Sequence, residues 1–244
     1  MAITPYKGFQ AVWRPGTGYR YWASGYDDDQ FKQLDSAYFQ LGLRLYSLDF
    51  YAWMETWTGV WGPGQGAQHW EAWLSKSQFV NTAKAQFKKG RRLVAVDKYD
   101  GEYVGVWRPG TGAEHFESDK TFTEIKDIDE DQRAKGRLLT TLFKTDDTYT
   151  AVWRTGTGTE WFAAGKSWGE FKALNKPFFD QGYRAVSLNS KGGKYAAVWR
   201  PGTGAQWIHT GLTAKQLEDQ DDIYRKQGLR LTILRAKRYT QKPS

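Results

Sequence analysis

The chain has 244 residues, a formal charge of +8 from 35 Lys and Arg against 27 Asp and Glu, and 16% aromatic residues that include 13 Trp. It contains no Cys, which excludes disulfide scaffolds, Cys nucleophiles and thiolate metal sites. No apolar stretch approaches the roughly 20 residues of a membrane span, and the opening MAITPYKGFQAVW lacks the apolar segment of a signal peptide, so a chain that is cytoplasmic, or released without such a signal, is expected.

The first predicted element is a strand, Phe9 to Trp13, in which β-branched and aromatic residues alternate with others. It runs into AVWRPGTG at Ala11, and that segment recurs: GVWGPGQG at Gly59, GVWRPGTG at Gly105, AVWRTGTG at Ala151 and AVWRPGTG at Ala197. The motif Trp are Trp13, Trp61, Trp107, Trp153 and Trp199, spaced 48, 46, 46 and 46 residues apart. A fixed period of this length marks a repeat architecture, here one repeat domain over residues 1–244. After each Trp, Arg-Pro-Gly-Thr-Gly predicts a tight hairpin loop, because Pro presets φ and Gly supplies positive φ. A short second strand follows, such as Ala205 to His209.

A helix comes next, capped by residues such as Ser167 or Thr213. Counted back from the Gly that ends each copy (Gly42, Gly90, Gly136, Gly182, Gly228), the eleventh residue is always apolar: Phe31, Phe79, Ile125, Phe171 and Leu217. With the apolar positions that follow, this gives a stripe on one helical face, and the terminal Gly suits a left-handed cap. A third strand then starts, such as Leu43-Arg44-Leu45 or Arg230-Leu231-Thr232. The expected fold is α+β: five tandem βββα repeats closed into a propeller-like ring. The last strand, Leu229 to Ala236, completes the first repeat and removes an unpaired edge.

Gly-Tyr-Arg-Ala-Val-Ser-Leu (182–188), Tyr-Ala-Ala-Val-Trp (195–199) and Gly-Leu-Thr-Ala (211–214) resemble a bacterial tandem repeat of about 47 residues, also found in the N-terminal, non-catalytic part of fungal polyglycine hydrolases. The resemblance covers all five copies and is strongest from about Trp153 onward. It implies a structural repeat with Trp gathered around a ring, and a helper or targeting role beside a serine hydrolase domain of β-lactamase type. No Ser here has Lys three residues on and no Gly-x-Ser-x-Gly occurs, so that hydrolase activity is not carried over.

Three repeated columns are candidate ligand contacts. The motif Trp either stack on a ligand or pack into the core; the small residue two before each, on the same strand face, leaves room for packing. Arg14, Arg108, Arg154 and Arg200 follow the Trp, with Gly62 breaking the series. They either bind hydroxyls or anions through the guanidinium fork or pair with acids such as Glu114 and Glu160. Eight residues after the Trp stand Tyr21, His69, His115, Trp161 and Trp207, flat side chains that vary on a fixed frame. The column one further on, Trp22, Trp70, Phe116, Phe162 and Ile208, reads as core.

Neither a metal nor a cofactor is expected: His69 and His115 lie in different copies, and Pro-Gly-Thr-Gly does not open a helix as a phosphate loop does. The positive charge is dispersed and no nucleic-acid-binding motif occurs, so nucleic acid is not an expected partner, and neither is a membrane. No copy diverges towards a unique acid, base or nucleophile. The sequence therefore points to a non-enzymatic multivalent binding module, carbohydrate-binding and lectin-like, whose weak sites add through avidity. The alternative is a protein- or peptide-binding targeting module with a Trp-lined groove, its partner an extended peptide rather than a glycan.

Overall fold

The computed structural model describes residues 7–51, 55–145 and 147–238. After β1 (Lys7–Pro15), the chain forms four successive strand–helix–strand–strand modules. The first is β2 (Tyr21–Tyr26), α1 (Asp28–Gln40), β3 (Leu43–Tyr51) and β4 (Thr56–Pro63). The second is β5 (His69–Leu74), α2 (Lys76–Lys88), β6 (Arg91–Tyr99) and β7 (Glu102–Pro109). The third is β8 (Glu114–Lys120), α3 (Phe122–Ala134), β9 (Arg137–Thr145) and β10 (Thr148–Thr155). The fourth is β11 (Trp161–Lys166), α4 (Trp168–Asp180), β12 (Tyr183–Lys191) and β13 (Lys194–Pro201). β14 (Trp207–Leu212), α5 (Ala214–Lys226) and β15 (Leu229–Arg238) follow.

Each module makes one three-stranded antiparallel sheet with the motif strand in the centre, as in β2-β4-β3, and the fifth sheet is β14-β1-β15. The fold is thus α+β and repeated. The first strand and the last lie side by side, with Ala11 opposite Leu234, as the sequence led us to expect.

The expected hairpin at Arg-Pro-Gly-Thr-Gly is not formed. The strand after it leaves its own sheet and pairs with the motif strand of the next copy: Tyr21 lies opposite Trp61, and Trp207 opposite Trp13. The hairpins join the other two strands, and Asp100-Gly101 (φ 47° and 83°) and Gly192-Gly193 (φ 58° and 71°) take positive φ at both turn residues. That is the two-residue turn matched to strand twist. The motif loop instead ties copies together. Its first Gly donates to the carbonyl of the Gly that ends the helix segment, as in Gly64 N–H to Gly42 O at 3.1 Å. At Gly18, with φ +73°, a Cβ would lie 2.7 Å from Pro63 of the next loop, which leaves Gly as the residue that fits.

Every helix starts with a reciprocal capping box: Asp27 with Gln30, Ser75 with Gln78, Thr121 with Glu124, Ser167 with Glu170 and Thr213 with Gln216. The predicted stripe residues Phe31, Phe79, Ile125, Phe171 and Leu217 are buried against the sheets. The column Trp22, Trp70, Phe116, Phe162 and Ile208 is half-buried rather than fully core.

The chain divides into two compact units: residues up to Gly110 with those from Ala205, and residues Thr111 to Gly204. In the first, β15, β3 and β6 of three successive sheets lie side by side. Arg235 reaches Asp49 at 3.3 Å and Asp97 at 3.6 Å, and Asp49 also accepts from Ala236 N–H at 2.8 Å. In the second, β9 and β12 adjoin, and the equivalent positions are Phe143 and Asn189.

Candidate functional site

The motif Trp occupy the interior: Trp13, Trp61, Trp107, Trp153 and Trp199 are each 0% exposed. A Cβ on Gly59 or Gly105 would lie 2.5 or 2.4 Å from the ring of the Trp two residues on. The small residue therefore makes room for the indole. These five Trp present no face to a ligand, and the platform reading of them gives way to packing. Four indole N–H groups donate at 2.8 Å to one helix position: Trp61 to Asp35, Trp153 to Asp129, Trp199 to Asn175 and Trp13 to Asp221. The remaining helix, α2, has Ala83 there, and Trp107 Nε1 is buried with no partner among the described residues. Burial pushes the Asp35, Asp129 and Asp221 carboxyls above the ordinary Asp value, against the opposing pull of the indole bond.

The variable column lies directly over these Trp and takes two forms. In three modules an exposed ring packs on a helix ring that itself lies against the core Trp, stacked in two and tilted by 32° in the third. Trp207 (46% exposed) stacks on Tyr224 at 5.5 Å and 11°, with Trp13 5.1 Å behind it. Trp161 (50% exposed) stacks on Phe178 at 5.5 Å, backed by Trp199 at 5.0 Å. Tyr21 (44% exposed) lies 5.5 Å from Tyr38, backed by Trp61 at 5.1 Å. In the other two modules the helix position holds buried Gln86 or Gln132, and the half-exposed His69 and His115 lie 5.7 Å from Trp107 and Trp153. Each His is 3.2 Å from an acid two residues on, Glu71 or Glu117, and each Gln accepts from an Arg at 2.6 Å, Arg91 or Arg137. The two columns vary together: a ring goes with a ring, and a His goes with a Gln. Helix-position residues Tyr38, Phe178 and Tyr224 are the part of these stacks that sequence reading assigned only to the apolar stripe.

The repeated Arg follow the core Trp on the central strands, one residue along from the rings. All four are half-buried. Arg154 pairs with Glu114 at 3.8 Å, and the Arg108 guanidinium lies 4.7 Å from the Tyr46 ring. Arg200 acts on Glu160, opposing the upward push of burial on that carboxyl. Where Gly62 breaks the series, Arg20 takes the space: a Cβ at Gly62 would meet its Nη1 at 2.2 Å.

A second Arg column was missed from the sequence: Arg44, Arg92, Arg184 and Arg230, each two residues after the helix-ending Gly. These donate to helix-end carbonyls, such as Arg184 to Phe179 O at 3.0 Å. The motif loop is bound as well: Arg44 and Arg184 Nε donate at 2.7 Å to Gly66 O and Gly204 O, and Arg230 donates to Gly18 O. They are structural staples, favourable at the negative helix end, and recurrence in four of five copies was the available signal.

Among the described residues no group of three or more His, Asp or Glu is placed to hold a metal ion, and no helix is long and apolar enough to cross a membrane.

A family model described as a polyglycine hydrolase-like structural repeat matches residues 158–201 and 203–239. These two stretches carry the repeat named by the sequence resemblance, and the remaining copies share its strands, capped helix and core Trp. No curated protein matches the chain.

Proposed function

We propose that this chain is a non-enzymatic, multivalent binding module whose ligand is carbohydrate. One observation carries the reading: three modules present an exposed ring at the same place, packed against a second ring that rests on the buried core Trp. A ring fixed in this way loses little freedom when a ligand covers it. An exposed indole or phenol face stacks on the C–H face of a sugar. Single sites of this kind are weak, and repetition adds avidity.

The test is a glycan array read with the folded chain, repeated with Trp161→Ala and Trp207→Ala together. Binding to a defined glycan class, weakened at least tenfold in the double variant, supports the proposal. Silence on glycans with binding to extended Gly-rich peptides would replace it with the peptide-binding alternative.

A further inference from the structure

One column of the repeat carries acids in one unit and none in the other. In the unit from Thr111 to Gly204, the acid seven residues after a core Trp acts on the Arg that follows the next core Trp. Glu114 lies 3.8 Å from Arg154, and Glu160 is acted on by Arg200. The other unit has Arg20, Gln68 and Gln206 in that column. The column therefore supplies Arg108 with Gln68, whose amide is engaged by Asp35 and by Leu45 N–H. One copy earlier it adds a cation, Arg20, which lies on Gly62.

These two guanidinium groups meet on one ring. Arg20 Cζ and Arg108 Cζ lie 4.4 and 4.7 Å from the centre of the Tyr46 ring, whose hydroxyl donates to Pro63 O at 2.9 Å. Gly64 makes room for the second: a Cβ there would lie 2.6 Å from Arg108 Nη2. Arg20 Nη1 donates to Tyr19 O at 3.3 Å, and among the described residues its Nε has no partner. Among the described residues neither Arg20 nor Arg108 forms an ion pair with a carboxylate. Burial pushes the Arg20 guanidinium below its ordinary value, with Tyr46 opposing and the like charges of Arg230 and Arg108 adding to the push. Burial and Arg108 act in the same direction on Arg44. Arg20, Tyr46 and Arg108 are half-buried, so part of each is open to solvent. An anion at this place relieves the repulsion, and the guanidinium fork matches the oxygens of a sulfate or phosphate group.

We propose that Arg20 and Arg108 bind a tetrahedral oxyanion, the sulfate or phosphate group of a ligand, beside the Tyr46 ring. The proposal does not rest on the exposed rings, and its probes contain no sugar. Calorimetric titration of the full chain with inorganic sulfate and with inorganic phosphate, at low ionic strength so that screening is weak, is the first measurement. Saturable binding at one site is expected, and the tighter anion identifies a sulfate or a phosphate group as the source. Arg20→Gln and Arg108→Gln are each expected to weaken binding at least tenfold, as loss of a charge-assisted contact does. Lys226→Gln removes the same charge from an exposed position of α5 and is expected to change affinity less than twofold. Gln68→Glu restores the acid that Glu114 and Glu160 provide, and is expected to abolish binding by pairing with Arg108. Should Gln68→Glu fail to fold, Arg108→Gln still decides. Absence of saturable binding, an equal loss in Lys226→Gln, or unchanged affinity in folded Arg108→Gln overturns the proposal.

Discussion

The unit that holds both β1 and β15 and the unit from Thr111 to Gly204 are built from the same module, yet they bury different chemistry. In the first, β15, β3 and β6 carry Arg235, Asp49 and Asp97 where β9 and β12 of the second have Phe143 and Asn189. In the first, Trp107 has no partner for its indole N–H among the described residues, whereas in the second Trp153 is paired with Asp129 and Trp199 with Asn175. The difference teaches that the repeat fixes places rather than side chains. One position is filled by a carboxylate, an amide or a methyl group, with the backbone almost unchanged.

The buried charges give the largest way to break this comparison. Burial, and then the charge of Asp97, push the Asp49 carboxyl up to about 7, with Arg235 pulling the other way. The folded chain holds this proton to higher pH than the unfolded chain. Its contribution to stability is therefore full below about pH 4 and lost as pH rises through about 7. Arg235→Met removes the counter-charge from two acids, and a loss of about 3–5 kcal/mol is expected at pH 8. The loss is smaller at pH 4.5, where Asp49 is protonated. Urea unfolding at the two pH values checks this, and Asn189→Ala in the other unit should show no such pH dependence.

Next in size is the indole bond. Trp153→Phe leaves Asp129 buried without its donor and is expected to cost about 3 kcal/mol, while Trp107→Phe, with no bond to lose, costs about 1 kcal/mol. Equal losses in urea unfolding would show that the bond contributes nothing.

The smallest effect sharpens the comparison by adding what is missing. Ala83→Asn places an acceptor where Asn175 has one. Satisfying a buried donor gains about 1–3 kcal/mol, and Asn in place of Ala in a helix costs about 0.7 kcal/mol. A net gain of about 1 kcal/mol in thermal or urea unfolding is expected.

Much of the frame was legible in the sequence. The 46-residue spacing, the helix caps and stripe, and the pairing of the last strand with the first all follow from local pattern and repetition. The crossover at Pro-Gly-Thr-Gly was not, because Pro and Gly specify a bend and not which strand the chain joins afterwards. Asp100-Gly101 and Gly192-Gly193 were the stronger hairpin signals. Site reading separated along the same line. For Trp13 and its four equivalents residue type left contact and packing both open, the small residue two before each pointed to packing, and they are buried. The ring pairs needed two columns read together, Tyr21 with Tyr38 and Trp161 with Phe178, since neither column alone shows its complement.

The pairing of β1 between β14 and β15 also bears on how the chain reaches its fold. The central strand of that sheet finds both neighbours about two hundred residues away, the kind of non-local contact that slows folding. With ribosomes adding about 5–20 residues per second, this apolar segment, Phe9 to Trp13, waits tens of seconds for its partners during synthesis. A lone strand in that interval is a hazard for association with other nascent chains. The centre of this sheet is thus made long before either strand that flanks it.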